Sequence, residues 1–254
     1  MILDLRNILE GWEYEPGKIS VRKIIGQDGR EKIQTRVDLG VLQFEVSGRP
    51  DGVRPHGFDT SLNWLESRLR EHVARCGSEA GFQLSADECK ELRHESHLYY
   101  QRFLSNFVLE EFAAVEADTA RNLRLLDFCN RYAESESDRD ALEGQRAYIL
   151  MMNTRARVYL AIARDDYAAA MALIDDGIEE IRELTLLDPI AADGEDPPEL
   201  QVLGSLREEI LGNMPEDAIP RLEKDLREAV AAEEYERAAS LRDRLEQRRR
   251  ENAA

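Results

Sequence analysis

Glu91 and His94 stand three residues apart, the spacing by which helical bundles present ligands to a di-iron centre, and His97 lies one turn further along. A di-iron centre needs a second Glu-x-x-His pair, and none of the other histidines has Glu three residues before it. We therefore interpret these side chains as surface residues of a charged helix and expect no metal site. His56, in the turn-forming run Arg-Pro-His-Gly, is a further candidate acid or base, but no nucleophile accompanies it.

The sequence that ends in Gly17 and Lys18 comes close to the pattern of a phosphate-binding loop but does not match it. Five residues instead of four separate Gly11 from Gly17, and Ile19 stands where Ser or Thr must hold magnesium. The sequence also lacks a G-x-S-x-G nucleophile elbow and a dinucleotide fingerprint. These patterns favour neither a hydrolase nor an oxidoreductase, so we expect a protein without catalytic activity and without a cofactor.

The composition favours helices and disfavours binding to nucleic acid. A chain of 254 residues suits two folded parts with an appendage, and 34% charged residues with few aromatics are typical of long amphipathic helices. The net charge of -18 repels a phosphate backbone, so we expect no direct binding to duplex DNA or RNA. Residues 184–218 hold nine acidic residues and a single base, Arg207, which is typical of a solvated, flexible stretch.

The cysteines and the apolar segments predict a cytoplasmic protein. Cys76, Cys89 and Cys129 are odd in number and far apart, which fits neither a disulfide framework nor a zinc site. No window reaches the ~18 apolar residues that a membrane-spanning helix needs, and the N-terminus has no export signal. We expect free thiols in a reducing compartment and no contact with a membrane.

The first 77 residues are predicted to form a small α+β unit. A short amphipathic helix opens the chain, and two alternating segments around Asp28-Gly29 predict a tight β-hairpin, extended by a third strand through Phe44 into an antiparallel β-meander. The stripe of Leu62, Leu65, Leu69 and Val73 predicts the helix that covers the apolar face of the sheet. The polar face carries Arg22, Lys32, Gln34 and Arg36, either as cross-strand charge in solvent or as a site for an anion or a partner.

Residues 85–187 are predicted to form a helical bundle. Ser85 and Glu88 have the spacing of a capping box, and a long aromatic-striped helix, which we expect to run through Phe107 and Phe112, follows. The segment from Asp166 to Gly177 resembles the second helix of a tetratricopeptide repeat, in which small residues let helices approach. No second copy follows at the expected period, so both an irregular bundle and a tetratricopeptide-like one remain open.

The last part of the chain is predicted to be an acidic linker, residues 188–218, with one short helix, followed by a helical hairpin over residues 219–250. Leu222, Leu226, Ala229 and Val230 line one helix, and Ala238, Leu241 and Leu245 line the return helix. The chain is expected to turn near 232–234, where Tyr235 would close the open end. About thirty residues are too few to support a core alone, so this stripe needs another surface to cover it. That surface is a second copy, a partner's hairpin or the protein's own bundle, and we expect pairing with another hairpin first.

The hairpin resembles the UVR motif, by which the bacterial excision-repair proteins UvrB and UvrC pair and which also occurs in stress-response adaptors. The resemblance is carried by Leu222-Glu223, by 233–236, by Ala238-Ala239 and by 241–245. It implies that ten residues bind either a partner protein or a second copy of the chain in a homodimer. They are Leu222, Leu226, Ala229, Val230, Tyr235, Ala238, Ala239, Leu241, Arg242 and Leu245. The N-terminal runs 28–34, 38–40 and 48–52 resemble uncharacterised bacterial UVR-motif proteins, which bring no known activity with them.

Two classes of function remain in competition. The first is a non-catalytic interaction adaptor in DNA repair or proteostasis, and the alternative is an enzyme or small-ligand-binding protein with a site between the sheet and the helical bundle. A deep pocket that holds His56 or the basic sheet face favours the alternative, whereas a shallow surface with an exposed hairpin favours the adaptor. A third interpretation, a docked coiled-coil-like tail without a partner, applies to the hairpin alone.

Overall fold

The structure, a computed structural model, describes residues 5–187 and 197–252. The chain is mainly helical with one small antiparallel sheet and a C-terminal pair of helices, as the sequence predicts. Two compact units comprise residues 1–149 and 150–254. The boundaries predicted at residues 77, 187 and 218 stay predictions, and residues 188–196 of the predicted acidic linker lie outside the described residues.

The first unit contains the three strands and the helices that precede and follow them. Its elements are α1 Arg6–Leu9, β1 Ser20–Ile25, β2 Glu31–Val37, β3 Gly40–Glu45, α2 Ser61–Cys76, α3 Ala86–Val108, α4 Phe112–Tyr132 and α5 Glu136–Asp140. The helix α6, Arg146–Ile162, leads into the second unit. The remaining elements are α7 Tyr167–Leu187, α8 Pro198–Asn213, α9 Ile219–Ala231 and α10 Tyr235–Asn252.

The three strands form the predicted meander in the order β1-β2-β3. The first connection is longer than the tight turn that we expected, because the last pair is Ile25 with Glu31 and Gly29 alone in this loop has a positive φ. Asp28 stabilises the loop by accepting a hydrogen bond from the Arg30 amide at 3.1 Å. The second connection is a two-residue turn, since Val37 pairs with Gly40.

The sheet is covered by α3 and not by α2. Thr35 on β2 shares a 2.6 Å hydrogen bond with Ser105 on α3. The buried Arg102 of α3 donates to the carbonyls of Glu45 and Gly48 at 3.0 and 2.8 Å, where the sheet ends. The helix that we expected to cover the sheet, α2, packs against α3 with Leu62 and Leu65 fully buried.

The capping box at the start of α3 is present, with the Ser85 hydroxyl accepting from the Glu88 amide and the Glu88 carboxylate accepting from the Ser85 amide. The helix ends at Val108, earlier than we expected, because Glu110 adopts a left-handed conformation with φ 58°. Phe112 therefore begins α4 and packs its ring edge-on against Phe107 at 5.7 Å.

A buried ionic network joins the loop after β3 to three helices. Glu95 on α3 is fully buried and accepts hydrogen bonds from the Ser61 and Leu62 amides at 2.7 and 3.2 Å, which caps α2. Its carboxylate also pairs with Arg121 on α4 and lies 3.5 Å from Arg49. A second buried pair joins Arg102 to Asp118 through two hydrogen bonds of 2.8 and 2.6 Å.

In the second unit, small residues and ion pairs bring α6, α7 and α8 together. Asp166 caps α7 by accepting from the Ala169 amide at 2.9 Å. Gly177 lies so close to Thr154 that a Cβ atom there would be 2.5 Å from the threonine hydroxyl oxygen. Arg207 on α8 pairs with Asp175 on α7 at 2.8 Å. The close approach of α7 and α6 at Gly177 agrees with the prediction that small residues let helices approach. The tetratricopeptide-like assignment stays a prediction.

Candidate functional site: the C-terminal hairpin

The two last helices form the predicted antiparallel hairpin. Pro220 occupies the first turn of α9, where a missing amide costs no hydrogen bond. At the other end Glu233 adopts a left-handed φ of 59°, and the Glu234 amide donates to the Ala229 carbonyl at 2.9 Å. These bonds satisfy the last turn of α9 and reverse the chain, so the turn predicted at 232–234 is confirmed.

The hairpin has a small hydrophobic core of its own. Five of the ten residues implied by the resemblance are buried in it: Leu222, Ala229, Ala238, Leu241 and Leu245. Leu226 and Ile219 are partly buried against this cluster. Ala229 and Ala238 lie beside the turn, where small side chains allow the two backbones to approach.

The hairpin is docked on its own unit. The helix α9 lies against α7, and Arg221 donates to the carbonyls of Leu211 and Gly212 at the end of α8, at 3.1 and 2.9 Å. At the base of the hairpin Arg248 binds the carboxylate and carbonyl of Asp217. The chain itself therefore covers the stripe, whereas pairing with a second hairpin stays a prediction.

The other predicted residues lie on the outside of the hairpin. Val230 is 54% exposed and Tyr235 is 70% exposed, and Ala239 and Arg242 are exposed as well. We expected Tyr235 to close the open end of the hairpin, and its exposure shows that this prediction is wrong. Residues 235, 239 and 242 follow helical spacing on one face of α10, and Val230 lies in the last turn of α9 next to the chain reversal. We call these four residues the tip face.

Acidic side chains surround the tip face. Residues 225–237 include five carboxylates and two guanidinium groups. One of the latter, Arg237, pairs with Glu234 at 2.9 Å, and this hydrogen bond raises the pKa of Arg237. Arg242 on the tip face pairs with its neighbour Asp243 at 3.1 Å. The tip is thus an exposed apolar centre with a net negative rim.

The comparison with known families fits this geometry. Residues 216–250 match the UVR family model, the UvrB/uvrC motif. The matched range includes the whole turn and ends two residues before the last residue of α10. No curated protein and no solved structure matches the chain. The UVR motif is a protein-interaction motif, and its position agrees with the resemblance carried by the hairpin residues. The resemblance of the N-terminal runs to other UVR-motif proteins stays a prediction.

The histidines considered as catalytic or metal-binding residues lie in the first unit. His56 stacks on Trp64 at 3.6 Å between ring centroids, and its Nε2 atom lies 3.6 Å from the Glu91 carboxylate. The same carboxylate accepts a 2.6 Å hydrogen bond from Ser61, while His94 is exposed. The described residues include no group of three or more His, Cys, Asp or Glu that could hold a metal ion.

Two clefts lie within the second unit. One of about 240 Å³ opens at the base of the UVR motif, between the start of α7 and the start of α9. Another of about 430 Å³ lies between α6 and α8. His56 and the basic sheet face line neither of them. In the stretches 5–187 and 197–252, no helix has the length and apolar character to cross a bilayer.

The face of the sheet that we expected to be solvated is partly covered. Lys32 and Gln34 are buried, with Lys32 paired to Asp28 and Glu45. Arg22 donates to the Gln34 side chain at 2.9 Å and to the Ile8 carbonyl at 3.0 Å. The N-terminal segment thus lies over this face, which periodicity within single strands did not reveal.

Proposed function

We propose that this chain is a non-catalytic protein-interaction adaptor whose UVR motif binds a helical partner through the tip face. The observation that carries the proposal is the combination of a matched interaction motif with large exposed side chains, Val230 and Tyr235, at its turn. Exposed aromatic and arginine side chains are the residue types that contribute most to protein interfaces. Tyr235 offers a rigid ring with a polar hydroxyl, which suits a pocket on a partner.

The ten residues implied by the resemblance then divide into two roles. The six buried or partly buried residues, Leu222, Leu226, Ala229, Ala238, Leu241 and Leu245, hold the two helices in register. The four residues of the tip face contact the partner. An unpaired charge at the buried Leu241 would disrupt the hairpin itself, so the interaction is tested at the exposed tip face and not at the buried leucines.

The chemistry of the partner follows from the tip. A surface with an apolar pocket and a basic rim complements Tyr235 and the surrounding carboxylates. Exposed charge pairs are screened by salt, so the affinity should fall as the ionic strength rises. The resemblance to the UVR motif supports a partner in DNA repair or proteostasis, and free thiols support a reducing, cytoplasmic location.

The test is a quantitative pull-down from the native host with three forms of the full chain. The parent is compared with Val230→Asp/Tyr235→Asp, which changes two exposed residues of the tip face. The matched control is Val108→Asp/Val202→Asp, since these positions are 44% and 37% exposed and lie outside the motif.

We expect parent and control to capture the same protein, and the tip-face variant to lose at least tenfold of it, which corresponds to ~1.4 kcal/mol. Circular dichroism should show equal helix content in all three forms. Equal capture by the tip-face variant would mean that the tip face is not the interface and that the motif is a docked tail.

A further inference from the structure

The N-terminal segment is held on the sheet by polar contacts. The indole of Trp12 donates to the Ser20 hydroxyl at 2.6 Å and lies 4.0 Å beneath the Arg22 guanidinium. Arg36 donates to the Trp12 carbonyl at 3.2 Å, and its guanidinium lies 5.8 Å from the Tyr14 ring. These contacts use guanidinium groups, carbonyls and ring faces. They therefore leave the side chains of Ile8 and Tyr14 exposed.

Arg22 and Arg36 bind neutral oxygen atoms. Arg22 uses the Gln34 amide oxygen and the Ile8 carbonyl, and Arg36 uses main-chain carbonyls at Trp12, Val37, Asp38 and Gly40. Within residues 5–187 and 197–252, neither guanidinium is paired with a carboxylate. Neutral acceptors satisfy the N–H groups without supplying a negative charge in direct contact.

Apolar side chains surround these two charges. Ile8 is 42% exposed next to Arg22, and Tyr14 is 37% exposed next to Arg36. Ile19 precedes the residue that pairs with Arg36 across the strands and is 48% exposed. Leu39 is 85% exposed in the turn between two carbonyls that Arg36 binds. We call this surface the N-terminal patch: Ile8, Trp12, Tyr14, Ile19, Arg22, Arg36 and Leu39.

We propose that the N-terminal patch is a second docking surface, which binds a partner segment that carries a carboxylate beside an aliphatic or aromatic side chain. Charge complementarity selects the carboxylate, because it supplies the direct ion pair that Arg22 and Arg36 lack within the described chain. The exposed apolar side chains take the neighbouring residue of that segment, and Trp, Tyr and Arg are the types enriched at binding hot spots.

Charge also decides against two other occupants. A second copy related by a two-fold axis would place Arg22 and Arg36 against the same pair of residues, so like charges would face each other. A nucleic acid would be repelled by a chain of net charge -18. With the hairpin at the other end of the sequence, a docking surface here gives the chain two separate attachments, and neither depends on the other.

The probe is a random twelve-residue peptide library displayed on phage and selected against the full chain. We expect the enriched peptides to contain Asp or Glu next to Leu, Ile, Phe, Tyr or Trp. Synthetic copies should bind Leu39→Asp at least tenfold more weakly than the parent, because a carboxylate in the patch repels theirs. They should bind Ile25→Asp like the parent, since Ile25 is 71% exposed on β1 next to the loop at the opposite end of the sheet.

Emission from Trp12, measured in a Trp64→Phe background, should change on binding because Trp12 lies in the patch. Arg36→Gln provides a second variant and should weaken binding while the far-ultraviolet spectrum stays that of the parent. The tip-face variant of the hairpin should bind the peptides normally, which separates this surface from the UVR motif.

Any of four binding results would overturn the proposal, as would one result on self-association. They are an absence of enriched peptides, enrichment without acidic residues, equal binding to Leu39→Asp and the parent, and binding of a twenty-nucleotide single strand that competes with the peptides. Self-association that Leu39→Asp abolishes in analytical ultracentrifugation would likewise overturn it in favour of contact between copies.

Discussion

Replacing Glu95 by Gln should destabilise the first unit strongly, although the two side chains have nearly the same shape. Glu95 is fully buried and faces Arg121 and Arg49. Burial lowers the pKa of Arg121, but its guanidinium remains charged at neutral pH, and it also lies 3.8 Å from the centre of the Tyr99 ring. Glutamine would leave this charge buried without its carboxylate.

Removing one partner of a buried ion pair costs about 3–5 kcal/mol, because the remaining charge has lost both water and its counter-ion. We expect a loss of about 3 kcal/mol for Glu95→Gln, since the amide oxygen can still accept from the start of α2. For a unit of this size the thermal midpoint should fall by roughly 6–12 °C.

Urea unfolding followed by tryptophan emission measures this effect selectively, because Trp12 and Trp64 both belong to residues 1–149. The matched control is Glu71→Gln on the exposed surface of α2, which should change the free energy of unfolding by less than about 0.5 kcal/mol. A loss below about 1 kcal/mol for Glu95→Gln would refute the assignment of Glu95 as the residue that holds this network together.

Four further outcomes are expected. Gly177→Ala should destabilise the second unit by about 1–3 kcal/mol because the new methyl group meets Thr154, whereas Gly204→Ala in the open on α8 should be neutral or stabilising, and thermal melts with equal midpoints would contradict the close approach. Ellman's reagent should find one reactive thiol, Cys76, in the native protein and three in urea, because burial raises the pKa of Cys129 to about 12 and also raises that of Cys89, and a second fast thiol would contradict their burial. A fragment ending at residue 187 should bind a hydrophobic dye more strongly than the full chain, since the cut removes α8 and α9 from α7, and equal dye binding would show that α7 is covered otherwise. The full chain should not retard random duplex DNA in a mobility-shift assay at moderate salt, and submicromolar, salt-sensitive binding would contradict this.

Features set by neighbouring residues could be predicted from the sequence. The capping box at Ser85 and Glu88 depends on groups three residues apart, and the meander depends on alternation and turn residues within single strands. The hairpin turn at 232–234 follows from the positions where two apolar stripes end. Local rules therefore account for most of the elements and for the motif itself.

Features set by packing between distant segments could not be predicted from the sequence. Glu95, Arg102 and Asp118 read as solvent-facing residues of charged helices, because each is paired only with residues far away in the sequence or on a neighbouring helix. The break after Val108 occurs at Glu110, where no glycine or proline signals a left-handed conformation. The choice of α3 rather than α2 to cover the sheet depends on contacts between residues far apart in the sequence, such as Thr35 with Ser105, and periodicity does not predict them.

The same limit applies to the candidate site. The ten residues implied by the resemblance all lie in the hairpin, but their spacing could not separate the buried frame from the exposed tip face. Tyr235 follows the turn directly, and whether a side chain there points inward or outward depends on the angle at which α10 leaves the turn. The docking of α9 on α7 decides which face stays free.

Hydrogen exchange on the complex tests the central claim most directly. The full chain would be mixed with the purified protein that the pull-down identifies, and exchange would be measured by mass spectrometry with and without that partner. We predict slower exchange at residues 228–242, around the turn of the UVR motif, and no slowing there for Val230→Asp/Tyr235→Asp. Protection that appears elsewhere in the chain while the turn exchanges as in the free protein would contradict the assignment of the tip face as the partner-binding surface.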